Sequence, residues 1–330
     1  MIIFSKVVLL PMLYLFAVSC TDRLSTNIGQ VGGQTEKCTV GVRLQQEGIG
    51  VKSKDPGDEN KISDINLFVY NSVSGFLEAH VYIDSRNYGK VPLTVDLLKN
   101  VRYDFAVCAN FGFKPKAPES LDALKEMRFY LTYPDEYGTG IPMSGMVRDI
   151  IPKDDGMSVN MTVTRLMAKI GIAIDRSKLN SDVRMNVSRL SIGGCPKSAK
   201  PFADSKPMGR SDIFENGFFK DGRAADFLNI EAGEGKSQEV YVYMLESLGG
   251  DLPSNLDNPA AAAIYPYIEL KMDYIGTDNN NTAKWLVYRF CIGEKEGNSD
   301  IRRNTTYHFT VTPHGNGLDK KATWMVEFTN

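Results

Sequence analysis

The sequence predicts an all-β protein built of antiparallel β-sandwiches with few, short helices. Three observations carry this. Short runs throughout the chain alternate apolar and polar side chains with a period of two, the mark of a strand with one buried face. Clusters of Gly, Asn, Asp, Ser and Pro punctuate those runs as turns. Only one stretch shows convincing helical spacing. Antiparallel sheets, each with one packed and one solvated face, follow from such a pattern. The number of runs fits two sandwiches of roughly seven strands each, joined near Val163 to Ala168.

The first run begins at Cys38, with Cys38, Val40, Val42 and Leu44 on one face and Thr39, Gly41 and Arg43 on the other. A polar turn follows at Asp55-Pro-Gly-Asp58. Ile62 to Tyr70 and Phe76 to Ile83 read as strands joined by the turn that contains Gly75. Val91 to Leu97 is a further short strand, and Val101 to Asn110 another, with Tyr103, Phe105 and Val107 pointing one way. Ser120 can cap a helix from Leu121 to Tyr130. Ser158 to Thr164 alternates cleanly. Past Arg165 come Lys169 to Ile174, Val183 to Ile192, Glu239 to Met244, Tyr265 to Tyr274, Trp285 to Ile292, Tyr307 to Thr312 and Ala322 to Phe328. Gly193 to Asn229, rich in Pro, Gly and Ser, reads as an irregular surface excursion.

Upstream of the strands lies an export signal. Lys6 precedes an apolar run from Val7 to Val18, and Ala17 and Ser19 lead into Cys20. A basic start, a short apolar core and small residues before a Cys are what a lipoprotein signal peptidase requires. The run is shorter than the ~20 apolar residues that span a bilayer. Residues 1–19 are therefore expected to be a signal peptide, with Cys20 carrying acyl chains into the outer membrane. Residues 20–36, polar and Gly-containing, are expected to be a flexible tether. The N-terminal sandwich is expected over 37–164 and the C-terminal one over 165–330. The 330-residue chain is long enough for two cores of ordinary size.

Net charge is −2, with acids and bases mixed along the chain, so nothing suggests a nucleic-acid surface. Cys38, Cys108, Cys195 and Cys291 form no Cys-x-x-Cys or Cys/His cluster, which argues against zinc. An exported chain could pair them in three ways, although strand-borne thiols also pack as small hydrophobes. Three His are present. His80 and His308 fall in strands, His314 in a turn, and all three read as solvent-facing or turn residues. No nucleophile elbow, zinc-protease helix or phosphate loop occurs. The acidic clusters Asp55/Asp58/Glu59 and Asp154/Asp155 read as turns. Trp285 and Trp324 lie in strands, where core packing is the default. No enzyme, cofactor or metal site is expected.

Several segments together resemble the Bacteroidales-type fimbrillin superfamily of pilus subunits. They are the signal and tether, the strand-turn-strand from Ile65 to Leu77, and Val101 to Asn110 ending in Ala-Asn. Others are Ile141-Pro-Met-Ser-Gly145, Val163-Thr-Arg-Leu-Met-Ala-Lys-Ile170, Tyr243-Met-Leu-Glu-Ser and Arg302-Arg-Asn-Thr-Thr-Tyr-His-Phe, with a closing strand at Trp324. Each is short, but their order runs along almost the whole mature chain. The resemblance implies two tandem transthyretin-like sandwiches that assemble by β-strand exchange. It also implies removal of a first strand by an arginine- or lysine-specific protease. The exchangeable strand would then be Cys38, Val40, Val42 and Leu44 with their neighbours, and Arg23, Lys37 and Arg43 are the candidate processing sites. Expected partners are other fimbrial subunits, the outer membrane through Cys20, and a host or bacterial surface ligand. A lipid-anchored surface glycan-binding protein, also built of β-sandwiches, is the alternative. It would expose two or three aromatic side chains on one loop rim.

Overall fold

Residues 37–46 alternate in space as they do in sequence. In the computed structural model they form β1 (Lys37–Gln46), with Cys38, Val40 and Val42 buried and Lys37, Thr39 and Arg43 exposed. The structure describes residues 36–47, 59–134, 136, 140–207, 209–214, 219–221, 228–230, 233–253, 264–276, 284–318 and 323–329, and only the backbone of 219–221, 284 and 323–329. Cys20, Arg23, the signal segment, Asp55, Asp58 and the Trp324 side chain lie outside these.

Beyond β1 the first half continues with β2 (Ile65–Asn71), β3 (Leu77–Ile83), β4 (Thr94–Leu98) and β5 (Tyr103–Ala109). A helix α1 (Leu121–Glu126) and a short β6 (Phe129–Tyr130) precede β7 (Met143–Ile150) and β8 (Met157–Arg165). Seven of these strands make one sheet in the order β3-β2-β5-β7-β8-β1-β4. Its β7–β8 link is only two residue pairs long, Met143 with Arg165 and Ser144 with Thr164. There the sheet turns on itself, and a shared core fills the fold: Val40 and Val42 of β1, Leu67 of β2, Leu97 of β4, Phe105 of β5 and Met161 of β8 all belong to it. Gly145 permits this corner, because a Cβ there would meet the Thr162 carbonyl oxygen at 2.1 Å.

The second half opens with β9 (Met167–Ile174) and β10 (Arg184–Gly193), then the short β11 (Cys195–Pro196), β12 (Ser198–Ala199), β13 (Ile213–Phe214) and β14 (Phe219–Asp221). It closes with β15 (Val240–Leu245), β16 (Ser247–Asp251), β17 (Tyr267–Ile275), β18 (Lys284–Cys291), β19 (Asn298–Ile301), β20 (Thr306–Thr312) and β21 (Thr323–Thr329). Two four-stranded sheets, β14-β10-β17-β18 and β15-β9-β20-β21, supply the side chains of a second core. Ile268, Leu270, Met272 and Tyr274 of β17 enter it as their alternation requires.

A third apolar cluster joins the halves. Phe68, Tyr70, Ala106 and Cys108 on the other face of β2 and β5 pack with Leu124 of α1, Phe111, Phe129, Leu166, Met167, Ala199 and Leu245. Apart from β6, which pairs with β12, the strands before and after Leu166 lie in different sheets, while residues 36–330 form one compact unit.

The all-β expectation holds, with several corrections. The sheets are mixed rather than wholly antiparallel: β1 runs parallel to β8, and β9 parallel to β20. The sheet faces are not all solvated on one side, since β5 is buried at every position under the third cluster. The helix is shorter than expected. Ser120 caps it by accepting from the Ala123 N–H at 3.2 Å, but it stops at Glu126, and Phe129-Tyr130 pairs with β12 instead. The 193–229 stretch is no simple surface excursion. Cys195, Pro196, Ser198 and Ala199 are buried, and the Arg303 guanidinium donates to the Lys200, Pro201 and Ala203 carbonyls. Trp285 is 67% exposed, because Leu286, Tyr288 and Phe290 take the core-facing parity of β18. His80 and His308 are half-buried rather than solvent-facing: His80 stacks on Phe68, and His308 Nδ1 lies 3.0 Å from Glu239. Among the described residues, Cys38, Cys108, Cys195 and Cys291 form no disulfide.

Candidate functional site

β1 holds its place through two different neighbours. Its first half, Lys37 to Gly41, pairs with β4, and its second half, Val40 to Gln46, pairs with β8. The turn before β8 completes the first half. The Thr39 N–H donates to Asp155 at 2.9 Å, and the Thr39 carbonyl accepts from Gly156 at 3.0 Å. The Thr39 hydroxyl donates to Asp96 of β4 at 2.7 Å. At the strand's entry Lys99 binds Glu36 at 2.8 Å, and that ammonium holds the exposed Glu36 carboxyl below its usual range.

Below this ladder the apolar face is closed. Val40 is 0% exposed and Cys38 2%, and Leu44 is half-buried. Burial pushes the Cys38 thiol above its ordinary range, so it behaves as a small hydrophobe. Fully burying a larger aliphatic is worth ~1.5–3 kcal/mol, and each ladder bond adds about 0.5–1.5 kcal/mol net. The sequence placed the four face residues correctly, and the structure brings them together with β4 and β8. Of the candidate processing residues, Lys37 and Arg43 have exposed side chains, on a strand flanked on both sides. Among the described residues β4 pairs with no strand but β1.

The far end of β1 is tied to the second half of the molecule. The Glu47 N–H donates to the Val163 carbonyl at 3.0 Å, and Asn304 Nδ2 donates to the Glu47 carboxylate at 3.2 Å. Arg165, 5% exposed, donates to Asn304 at 3.2 Å, to the Glu59 carbonyl at 3.1 Å and to Asn60. The Glu59 carboxylate pairs with Lys169 at 2.6 Å and accepts from the Tyr243 hydroxyl. Sequence reasoning missed this cluster by counting Glu59 as one acid in a turn. Only the apolar run Leu166 to Ile174, interrupted by a lone Lys169, hints at a buried partner.

The site is a strand held between two neighbours over a closed apolar face. Among the described residues, no group of three or more His, Cys, Asp or Glu is placed to hold a metal ion.

No protein-family model matches the chain, and no curated protein matches it in sequence. Solved structures do match. The tip fimbrial protein Mfa3 from Porphyromonas gingivalis, with a C-terminal truncation, superposes with a TM-score of 0.57 at 14% identity, over 89% of this chain and 100% of that one. The chain has the fold of a fimbrial subunit. Fimbrilin FimA from Porphyromonas gingivalis matches with a TM-score of 0.53 at 14% identity, covering 88% of this chain and 96% of its own. A candidate cell adhesion protein from Bacteroides eggerthii matches with a TM-score of 0.60 at 13% identity, over 90% and 96% of the two chains. The shared fold therefore extends over 88–90% of this chain.

Proposed function

We propose that this chain is a structural, non-catalytic subunit of a cell-surface fimbria, exported as a lipoprotein and joined to its neighbours by exchange of β1. The observation that carries the reading is the seat of β1: the first described strand, flanked on both sides by β4 and β8, whose alternate side chains enter the core. The shared fold with fimbrial proteins supports it. Removal of β1 would leave an apolar groove and unpaired ladder groups on β8, which another extended segment satisfies by β-augmentation. Cleavage after Arg43 takes most of the strand. Cleavage after Lys37 leaves the strand nearly whole, and cleavage after Arg23 cuts only the tether. An uncleaved chain stays held to the outer membrane through Cys20, by acyl chains that each contribute ~0.8 kcal/mol per buried methylene.

The glycan-binding alternative has several exposed aromatics to draw on: Phe76, Tyr88, Phe113, Tyr130 and Tyr133 beside Trp285. Trp285 sits on a strand rather than a loop rim, and Lys271 Nζ lies 3.7 Å from its ring centroid. The fimbrial reading is tested on cells that make the protein. Immunogold labelling should mark surface filaments, and Cys20→Ser should abolish labelling by a fatty-acid probe. Label confined to the cell body, or fatty-acid labelling unchanged in the variant, contradicts the corresponding half of the reading.

A further inference from the structure

The ties at the far end of β1 decide what a replacement strand must look like, given strand exchange as proposed above. β1 has ten residues, and three of them, Leu44 to Gln46, lie beyond Arg43. Those three pair in register with Met161, Thr162 and Val163 of β8. Glu47 extends the pairing by its N–H to the Val163 carbonyl and is held at its carboxylate by Asn304. Gln46 donates to the Asn60 carbonyl, and Arg165 grips Glu59, Asn60 and Asn304 together. None of these contacts involves Lys37 to Arg43, so none is lost when that segment leaves.

We infer that cleavage after Arg43 leaves a fixed stub, Leu44 to Glu47, and that the seat accepts an extended segment of at most seven residues, with small aliphatic side chains at its second, fourth and sixth positions, from another chain. The stub stops the incoming strand, which runs in the direction of β1 and so fixes its register. The first positions take the place of Lys37 to Gly41 against β4, and the last meets Leu44. Side-chain size is limited because Cys38 and Val40 are 2% and 0% exposed in a core that also holds Leu67, Phe105 and Met161. Interiors packed this closely resist enlargement. The strand β21 of this same chain, Thr-Trp-Met-Val-Glu-Phe-Thr, offers Trp324 and Phe328 at its alternate positions and does not fit. The occupant is thus a segment unlike the chain's own last strand.

The test uses the full chain, cleaved after Arg43 by an arginine-specific protease and freed of the released segment. Fluorescent peptides spanning residues 36–43, 36–46 and 323–329 are titrated onto it. The 36–43 peptide is expected to bind, the 36–46 peptide to bind no tighter, and the 323–329 peptide at least about tenfold weaker. In the doubly substituted Glu47→Ala, Asn304→Ala chain, the 36–46 peptide should gain about tenfold over 36–43, because its last three residues now find their ladder open. A 36–46 peptide that already binds tenfold tighter to the cleaved unsubstituted chain overturns the stub. Equal binding of the 323–329 peptide overturns the size limit. Failure of every peptide overturns strand exchange itself and leaves the stub readable by other means. Amide exchange at Gln45 and Glu47, whose N–H groups face β8, should stay slow in the cleaved chain, and full loss of that protection counts against the stub without any folding of a variant.

Discussion

At the scale of single residues, buried charge and buried carboxyl groups set the sharpest expectations. Lys169 has a side chain 5% exposed against the carboxylate of Glu59, itself 15% exposed. Removing one partner of such a pair strands the other charge, at a cost of roughly 3–5 kcal/mol. Lys169→Met should therefore lower stability by about that amount in urea denaturation, and adding Glu59→Gln should recover a large part of it. A single variant with unchanged stability would show the pair to be idle. Asp64 supplies a pH dependence. It is buried, and its carboxylate accepts from the Phe111 and Gly112 N–H groups at 3.1 and 3.0 Å. Burial outweighs these bonds and pushes the carboxyl above its ordinary value of 3.8. The folded chain then keeps a proton that the unfolded chain has already lost. Its contribution is fully present below pH 3.8 and is lost as pH rises through the folded value. Asp64→Asn should flatten that part of the stability–pH curve, as followed by urea midpoints; an unchanged slope would remove Asp64 from the account.

Elements show which parts of the fold are legible in a sequence and which are not. Strands with one wet face announce themselves, as β1, β8 and β17 do, because their polar residues mark the outside. β7 does not. Its first residues are buried and its later ones half-exposed without a period, and Gly145 serves the corner rather than the strand. β2 and β5 could be read as strands, yet nothing in an almost continuously apolar run tells that its second face is covered by a distant helix and loop. The helical spacing continues through Met127 and Arg128, but the helix ends at Glu126 because Phe129-Tyr130 is drawn off by β12. Parallel pairing leaves no local mark either. Its consequence belongs to β4, whose Val95 and Leu97 are buried although β1 is its sole strand partner among the described residues. Cleavage after Arg43 and release of the segment should therefore make the amides of Thr94 to Leu98 exchange with solvent, and filling the seat should restore their protection. Protection of β4 that survives the loss of β1 would mean the two are not coupled.

For the whole molecule, the apolar cluster of Phe68, Tyr70, Leu124, Leu166, Ala199 and Leu245 makes the halves support each other, and Arg303 holds Lys200, Pro201 and Ala203 within the second half. Between Arg165 and Met167 the chain passes from β8 into β9 of a different sheet, β6 and β12 pair across that point, and the packing that ties both sides together lies in a stretch whose sequence reads as irregular. In the proposed fibre β1 is the strand that would be exchanged, and the rest of the chain would hold its seat in shape. The claim at the centre of this account is that β1 is given up when the chain joins a filament. Filaments sheared from the cells that make the protein, with the N-terminus of this chain read by mass spectrometry, test it most directly. The account predicts that the chain is present in the filaments and begins at Leu44. A chain that is recovered from filaments with Lys37 to Arg43 intact in every copy, or that never enters them, would contradict it.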